Sequence, residues 1–179
     1  ALLGWLGEGR HGAMAYLERN AFKRVDPSQV LPGAKSIITL ATSYHRPLPA
    51  SPSTAADGVI ARYARHEDYH DVLAPPLKDL NDFVTSLGPS GSRSLWYVDT
   101  GPLLERDLAH RAGLGFVGKH TSLISRKLGN WIILSEIITT VELEQDAPET
   151  NRCGTCTRCI TACPTQAITA PFQLDARRC

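Results

Sequence analysis

The chain has 179 residues, 42% of them apolar, and its 19 Lys and Arg against 18 Asp and Glu give a formal net charge of +1. That length suits one ordinary domain plus a small appendage, and so balanced a charge gives no electrostatic argument for nucleic acid, which binds local patches that a total does not reveal. No stretch approaches the roughly 20 apolar residues of a membrane span, and five cysteines gathered at one end argue against a disulfide scaffold and for a reducing, cytoplasmic setting.

From Ala1 to about Asn20, Leu2, Leu6, Met14 and Leu17 recur at helical intervals broken by Gly7, Gly9 and Gly12, which predicts two short helices joined by a glycine turn. Residues 22–33, with Lys23, Arg24, Asp26 and two prolines, read as a polar loop. Lys35 to Tyr44 is rich in β-branched residues and predicts a buried strand. A loop heavy in Pro, Ser and Ala follows from His45 to about Gly58, of a length usually tied to function or disorder. Ile60 to His70 concentrates Arg62, Tyr63, Arg65, His66, Asp68, Tyr69 and His70, a set that suits an anionic or planar ligand and equally suits a solvated helix edge. From Val72 to Leu87 the spacing of Leu77, Leu80, Phe83, Val84 and Leu87 is helical. Pro75 and Pro76 then require that the helix start there or kink.

Ser94 to Asp99 predicts a second buried strand that ends on a carboxylate, followed by a turn at residues 100–102 and a helix from Leu103 to Arg111 closed by Gly113. An acid at the carboxyl end of a strand is where α/β sheets present ligand-binding groups, although Asp99 also suits a turn or a helix cap. Gly113 to Thr121 fits the spacing of two phosphate-binding motifs, but both need a strand before and a helix after. Here a helix precedes and a strand follows, so neither applies, and what remains is a glycine-rich loop bearing Lys119, His120, Thr121 and Ser122 that lets a bulky ligand approach the main chain. Residues 125–130 read as a hairpin-like turn, Trp131 to Leu143 as one long β segment or two short ones, and residues 144–152 as a polar linker at a domain boundary.

Cys153, Cys156, Cys159 and Cys163 are separated by two, two and three residues, and Pro164 follows. Iron-sulfur clusters of the bacterial ferredoxin type are held by this run, whose first three thiolates wrap one cluster while the fourth serves its neighbour. Cys163 is expected to open a helix, and in ferredoxin-like modules a short turn or helix and then a β-hairpin follow the cysteine before proline. Structural zinc is the alternative, but all-cysteine zinc sites usually pair two separated knuckles. Two clusters need four thiolates apiece, and the chain holds five cysteines, with Cys179 available to join Cys163 in the second. The sequence, beginning at Ala1 inside a helical pattern and ending within a metal-binding module, therefore reads as a piece of a longer polypeptide.

Several stretches in succession resemble one family, the epoxyqueuosine reductases (QueG), cobalamin-dependent iron-sulfur enzymes of tRNA modification. They are His11-Gly12-Ala13-Met14, Arg62-Tyr63 with Asp68-Tyr69-His70, residues 98–106 around Asp99, residues 112–121, and residues 153–179. The resemblance implies an α/β (α+β) cobalamin-binding domain over residues 1–145, followed over residues 146–179 by the first part of a ferredoxin-like domain. It implies cobalamin without its lower axial base, beside two 4Fe-4S clusters fed by an external electron donor. Cys153, Cys156 and Cys159 would ligate one cluster and Cys163 and Cys179 the other, with the missing ligands lying beyond the chain. The reaction would reduce epoxyqueuosine to queuosine at the wobble position of a tRNA, by a monomeric protein with no membrane association.

Asp99 matches the family's proton donor, a role that burial against an apolar cofactor face would favour. Arg24, Arg62, Tyr63, Tyr69, His70, Lys119, His120, Thr121, Ser122 and Leu123 match segments lining the family's cobalamin pocket, together with Asp99. Arg106, Ser125 and Arg126 stand where contact with a tRNA loop is expected. Pro75-Pro76 departs from the family, where the segment is a continuous helix. A reductive dehalogenase-like enzyme with the same cofactors, or a non-catalytic electron-carrier or zinc module, are the competing classes.

Overall fold

The computed structural model describes residues 1–46 and 60–179. The run of apolar and β-branched residues after Trp131 forms the central strand of its main sheet. This strand, β5 (Ile132–Thr139), lies between β1 (Ser36–Ser43) and β2 (Ser94–Val98) and is antiparallel to both. Ile137 stands opposite Ile38 on one side and Trp96 on the other. Every residue from Ser135 to Thr139 is buried, as happens to a strand with both faces covered.

Successive side chains of β5 point to opposite faces. Ile137 packs with Val98 against Leu77 of α4 (Tyr69–Ser86), with Leu73 and Leu80 around them. Ile138 packs on the other face against Leu31 and Leu103, with Leu108 of α5 (Glu105–Arg111) beside it. Both isoleucines are fully buried. The two strands and their order along the chain match the sequence expectation.

Helices α1 (Leu2–Gly7) and α2 (Ala15–Arg19) flank the expected glycine turn. The polar loop expected over residues 22–33 is instead α3 (Ala21–Val25) followed by a 3-10 turn at Pro27–Gln29. Asp26 explains the turn, since its carboxylate accepts the Ser28 N–H at 3.0 Å and Pro27 fixes the first backbone angle.

Of the two alternatives expected for α4, a start at the prolines is overturned. The helix starts upstream of the prolines, capped by the Asp68 carboxylate accepting from the His70 N–H at 2.9 Å, and it runs through both Pro75 and Pro76. Two missing N–H groups leave the carbonyls of Asp71 and Val72 without helical partners. Both prolines and both of those residues are exposed, so water serves the carbonyls. Most of the long loop expected from His45 to Gly58 lies outside the described residues.

After α5 the chain turns at Gly113, whose φ is 71°, and a Cβ there would meet the Ala147 carbonyl at 2.7 Å. Strands β3 (Phe116–Val117) and β4 (Leu123–Ile124) then pair as a small hairpin. A helix before and strands after agree with setting the phosphate-binding motifs aside. Ser125 and Gly129 bridge across the expected turn.

The cysteine segment contains α6 (Arg158–Thr161) and the hairpin of β6 (Ile168–Ala170) and β7 (Gln173–Leu174). The hairpin agrees with expectation, but the helix carries Cys159 and ends before Cys163. Gln166, at a φ of 52°, turns the backbone out of the helical region three residues after Cys163, so no helix continues from that cysteine. This module is tied to the start of the chain. The Trp5 indole donates to the Leu174 carbonyl, Ala176 N–H donates to the Arg10 carbonyl at 2.8 Å, and the Arg10 guanidinium reaches Thr169 and Gln173. Among the described residues, no helix is long and apolar enough to cross a membrane.

Candidate active site

Because β5 runs against both of its neighbours, β1 and β2 end on the same side of the sheet, where β5 begins. A cavity of about 410 Å³ opens there. Tyr44 just past β1, Asp99 just past β2 and Ile132–Leu134 of β5 form its floor, with Glu105 and Arg106 from the start of α5 beside them. Tyr63, Tyr69, Ser122, Leu123 and Asn130 complete the lining. A second cavity of similar size shares Tyr44, Tyr63, Tyr69 and Ile133 and extends toward His45, His66 and Leu73.

Asp99 is exposed and has a φ of 55°, in the left-handed region that costs a residue other than glycine some strain. Its Oδ2 accepts a hydrogen bond of 2.7 Å from the Tyr69 hydroxyl. Burial, reinforced by that bond to Asp99, raises the Tyr69 phenol well above its ordinary range, so it remains a donor.

Two further acids stand close by. Burial pushes the Glu105 carboxyl up to about 7, and the charge of Asp99 adds to the shift while Arg106 and Arg24 oppose it. Glu136, fully buried in the central strand, is pushed up to about 9 by burial and then by the charges of Glu105 and Asp99. Neither of its carboxyl oxygens has a hydrogen-bond partner among the described residues. A carboxyl so placed keeps its proton at neutral pH.

An aromatic series frames the entrance. The Arg62 guanidinium lies 4.4 Å from the centre of the Trp131 ring, Tyr44 meets both Trp131 and Tyr63 edge-on, and Tyr63 meets Tyr69. His70 stacks on Tyr69 at 4.1 Å and bonds Asp68 through Nδ1 at 2.7 Å.

Of the residues singled out in the sequence, Tyr63, Tyr69, Asp99, Arg106, Ser122 and Leu123 meet at the first cavity. Arg62 and His70 support its aromatic wall. Thr121 offers its carbonyl to Arg106 at 2.9 Å, and His120 Nδ1 accepts the Ser122 N–H at 3.0 Å, so both shape the loop. Arg24 reaches the Leu103 carbonyl at 2.9 Å, at the entry to α5. The Lys119 ammonium donates to the carbonyls of Gly154 and Cys156, at 2.7 and 2.9 Å, and so braces the cysteine loop and lines neither cavity. Ser125 is buried, its hydroxyl accepting the Leu128 N–H at 3.3 Å, while Arg126 is exposed.

All five cysteines are free thiols. Cys153 and Cys156 close a turn through a 3.0 Å backbone bond, and Asn151 links that turn to the Val117 carbonyl at 2.8 Å. The Cys163 thiol is lowered to about 7 by the Ile168 N–H first, then by the Thr165 hydroxyl and the Ala167 N–H. Such donors suit a thiolate that ligates metal. Among the described residues, no three His, Cys, Asp or Glu side chains are near enough to one another to hold a single ion; a cubane instead spreads its thiolates over separate irons.

Sequence reading passed over Tyr44, Glu105, Asn130 and Glu136 as site residues. The available signal was a lone glutamate, Glu136, inside a run of β-branched residues.

Residues 24–100 match the family profile described as epoxyqueuosine reductase QueG, DUF1730, and residues 152–179 match the 4Fe-4S double cluster binding domain. An epoxyqueuosine reductase of Gloeobacter violaceus is 44% identical over 98% of this chain and 54% of its own length. One from Synechocystis is 44% identical over 99% of this chain and 60% of its own length. The chain belongs to the epoxyqueuosine reductase family. It spans about half the length of the relatives it matches.

Solved structures agree. The epoxyqueuosine reductase of Streptococcus thermophilus superposes with a TM-score of 0.87 at 36% identity, covering 99% of this chain and 48% of that one. Another epoxyqueuosine reductase, solved with an epoxyqueuosine-modified stem loop of tRNA-Tyr, gives 0.81 at 40% identity over 88% of this chain and 42% of that one. The Bacillus subtilis enzyme, at 0.79 and 38% over 89% of this chain and 42% of its own, was solved with an aspartate-bearing catalytic loop swung out of its active site. In this chain the mixed α/β sheet is followed by the segment that matches the 4Fe-4S double cluster binding domain.

Proposed function

We propose that this chain is the catalytic part of an enzyme that reduces epoxyqueuosine to queuosine in the anticodon loop of a tRNA. The observation that carries the reading is Asp99, an exposed acid in strained backbone at a strand end, gripped by Tyr69 and facing a cavity. In this reading residues 1–145 form a cobalamin-binding domain and residues 146–179 the first part of an iron-sulfur domain.

The donor set fits a corrin. Tyr44, Tyr63 and Tyr69 with the apolar edge at Ile132–Leu134 suit its flat face, and Ser122 and Asn130 suit its amide-bearing rim. When bound, cobalamin supplies a low-potential cobalt centre able to attack carbon, and 4Fe-4S clusters supply it with single electrons. Cys153, Cys156 and Cys159 would hold one cluster, and Cys163 with Cys179 part of the other.

The chain's own residues then orient and protonate. Tyr69 holds Asp99 Oδ2, so the second carboxylate oxygen is left to face the substrate oxygen, and Asp99 gives that oxygen a proton as a carbon–oxygen bond breaks. Arg106, exposed at the cavity and tied to the Thr121 carbonyl, suits a phosphate of a single-stranded loop. Arg126 is exposed as well, whereas the Ser125 hydroxyl is already engaged within its turn. A relative bound to an epoxyqueuosine-modified stem loop supports tRNA as substrate. The reading includes an external reductant, a monomer and a cytoplasmic setting.

The test is Asp99→Ala in the holoenzyme, assayed on epoxyqueuosine-tRNA. Cobalamin and iron contents should stay near wild type while turnover falls by about 100-fold or more. Turnover near the original rate would remove Asp99 from the reaction.

A further inference from the structure

Turning an epoxide into an alkene and water breaks two carbon–oxygen bonds, forms one carbon–carbon π bond, and consumes two electrons and two protons. The electrons would be supplied by a low-potential one-electron donor by way of iron-sulfur clusters held by the cysteine segment. The oxygen leaves as water and must collect both protons. Asp99 can carry only one of them.

A second carboxyl lines the same cavity. Glu105, half-buried in the first turn of α5, stands with Asp99 and Arg106 at the wall that the substrate oxygen would face. We propose that Glu105 delivers the second proton to the departing oxygen, a role that rests on the epoxide-reducing function proposed above.

The surroundings of Glu105 suit that task. Burial disfavours a charge on Glu105, and Asp99, approaching from the turn after β2, adds its own negative charge to that resistance. Arg106 beside it and Arg24 from α3 work the other way and keep its proton transferable. Glu136 of the central strand, fully buried and without a hydrogen-bond partner among the described residues, is raised in turn by the charge of Glu105 and stays a neutral acid at neutral pH. The balance leaves Glu105 titrating near 7, where a general acid is most effective at neutral pH.

The test compares Glu105→Gln with Asp99→Asn in the holoenzyme, by single-turnover reduction of an epoxyqueuosine-modified stem loop from about pH 5 to about pH 9. It is paired with an infrared pH titration of the carboxyl C=O band without substrate. The wild-type rate should fall as pH rises through about 7. Glu105→Gln should lower the rate at pH 6 by about 100-fold, abolish that pH limb, and remove the infrared band that titrates in the same range. Glu105→Asp, which keeps an acid on a shorter side chain, should restore a limb and a titrating band, both displaced in pH from their wild-type positions.

A Glu105→Gln enzyme with wild-type rate and pH profile would overturn the second-donor role. If Asp99→Asn were inactive in the same experiment, the epoxide-reducing function would stand without it. If both variants were as fast as wild type, that function would fall as well. Should Glu105→Gln fail to fold, Glu105→Asp decides, because an unshifted pH limb and band in that variant would also overturn the proposal.

Discussion

Replacing Lys119 with methionine tests how the cluster-binding loop is held. The ammonium reaches across 35 residues of sequence to the Gly154 carbonyl at 2.7 Å and across 37 to the Cys156 carbonyl at 2.9 Å, bracing the turn that carries Cys153 and Cys156, the first two of the proposed cluster ligands. Hydrogen bonds from a charged donor contribute about 1.5–3 kcal/mol each when sheltered from water. Lys119 is half-buried and both acceptors belong to exposed residues, so water compensates for much of that and about 1 kcal/mol each is the appropriate scale. Losing both therefore costs about 2 kcal/mol, roughly thirty-fold in the equilibrium for opening the turn. The assay is iron transfer to a chelator from the anaerobically reconstituted holoenzyme, followed by the decay of the sulfur-to-iron charge-transfer absorption. Lys119→Met should release iron about thirty-fold faster, with Lys119→Arg recovering part of the difference. Iron loss from Lys119→Met at the wild-type rate would refute the brace.

Glu136→Gln should make folding less sensitive to pH. Folding raises this carboxyl from the ordinary 4.5 to about 9, so the native state keeps a proton that the unfolded chain releases. The stability it contributes is fully present below about pH 4.5 and erodes by about 1.4 kcal/mol per pH unit until about pH 9. Urea unfolding should accordingly show the variant gaining on wild type between about pH 5 and about pH 8, and parallel stabilities across that range would contradict the burial of a neutral acid. Ile137→Ala, at a fully buried position, should destabilise the protein by about 2–5 kcal/mol in the same measurement, and a loss below about 1 kcal/mol would mean that α4 does not pack on this face of the sheet.

The sequence displays its elements better than their neighbours. β-branched runs at residues 36–43, 94–98 and 132–139 announce strands, and an acid directly after the second marks the site. That the third run lies between the other two depends on pairings across nearly a hundred residues, which periodicity does not encode. Glu136 owes its character to those pairings. In sequence it looks like a polar interruption, and only the covering of both faces of β5 turns it into a buried acid. Pro75 and Pro76 mislead for a local reason, because the carbonyls they leave unpaired face solvent and the helix tolerates the loss. Lys119 sits in a glycine-rich loop that suggests ligand binding, yet its partners are backbone carbonyls of the cysteine turn, invisible to any motif.

The seam joining Trp5 and Arg10 to the β6–β7 hairpin has a consequence for how the protein is made. Its partners are 169 residues apart for Trp5 and Leu174, so the first helix emerges from the ribosome long before the surface it must cover exists. Docking of the cysteine-bearing module is thereby a late event of biosynthesis, and the opening segment has to wait with its indole unsatisfied until the hairpin is synthesised.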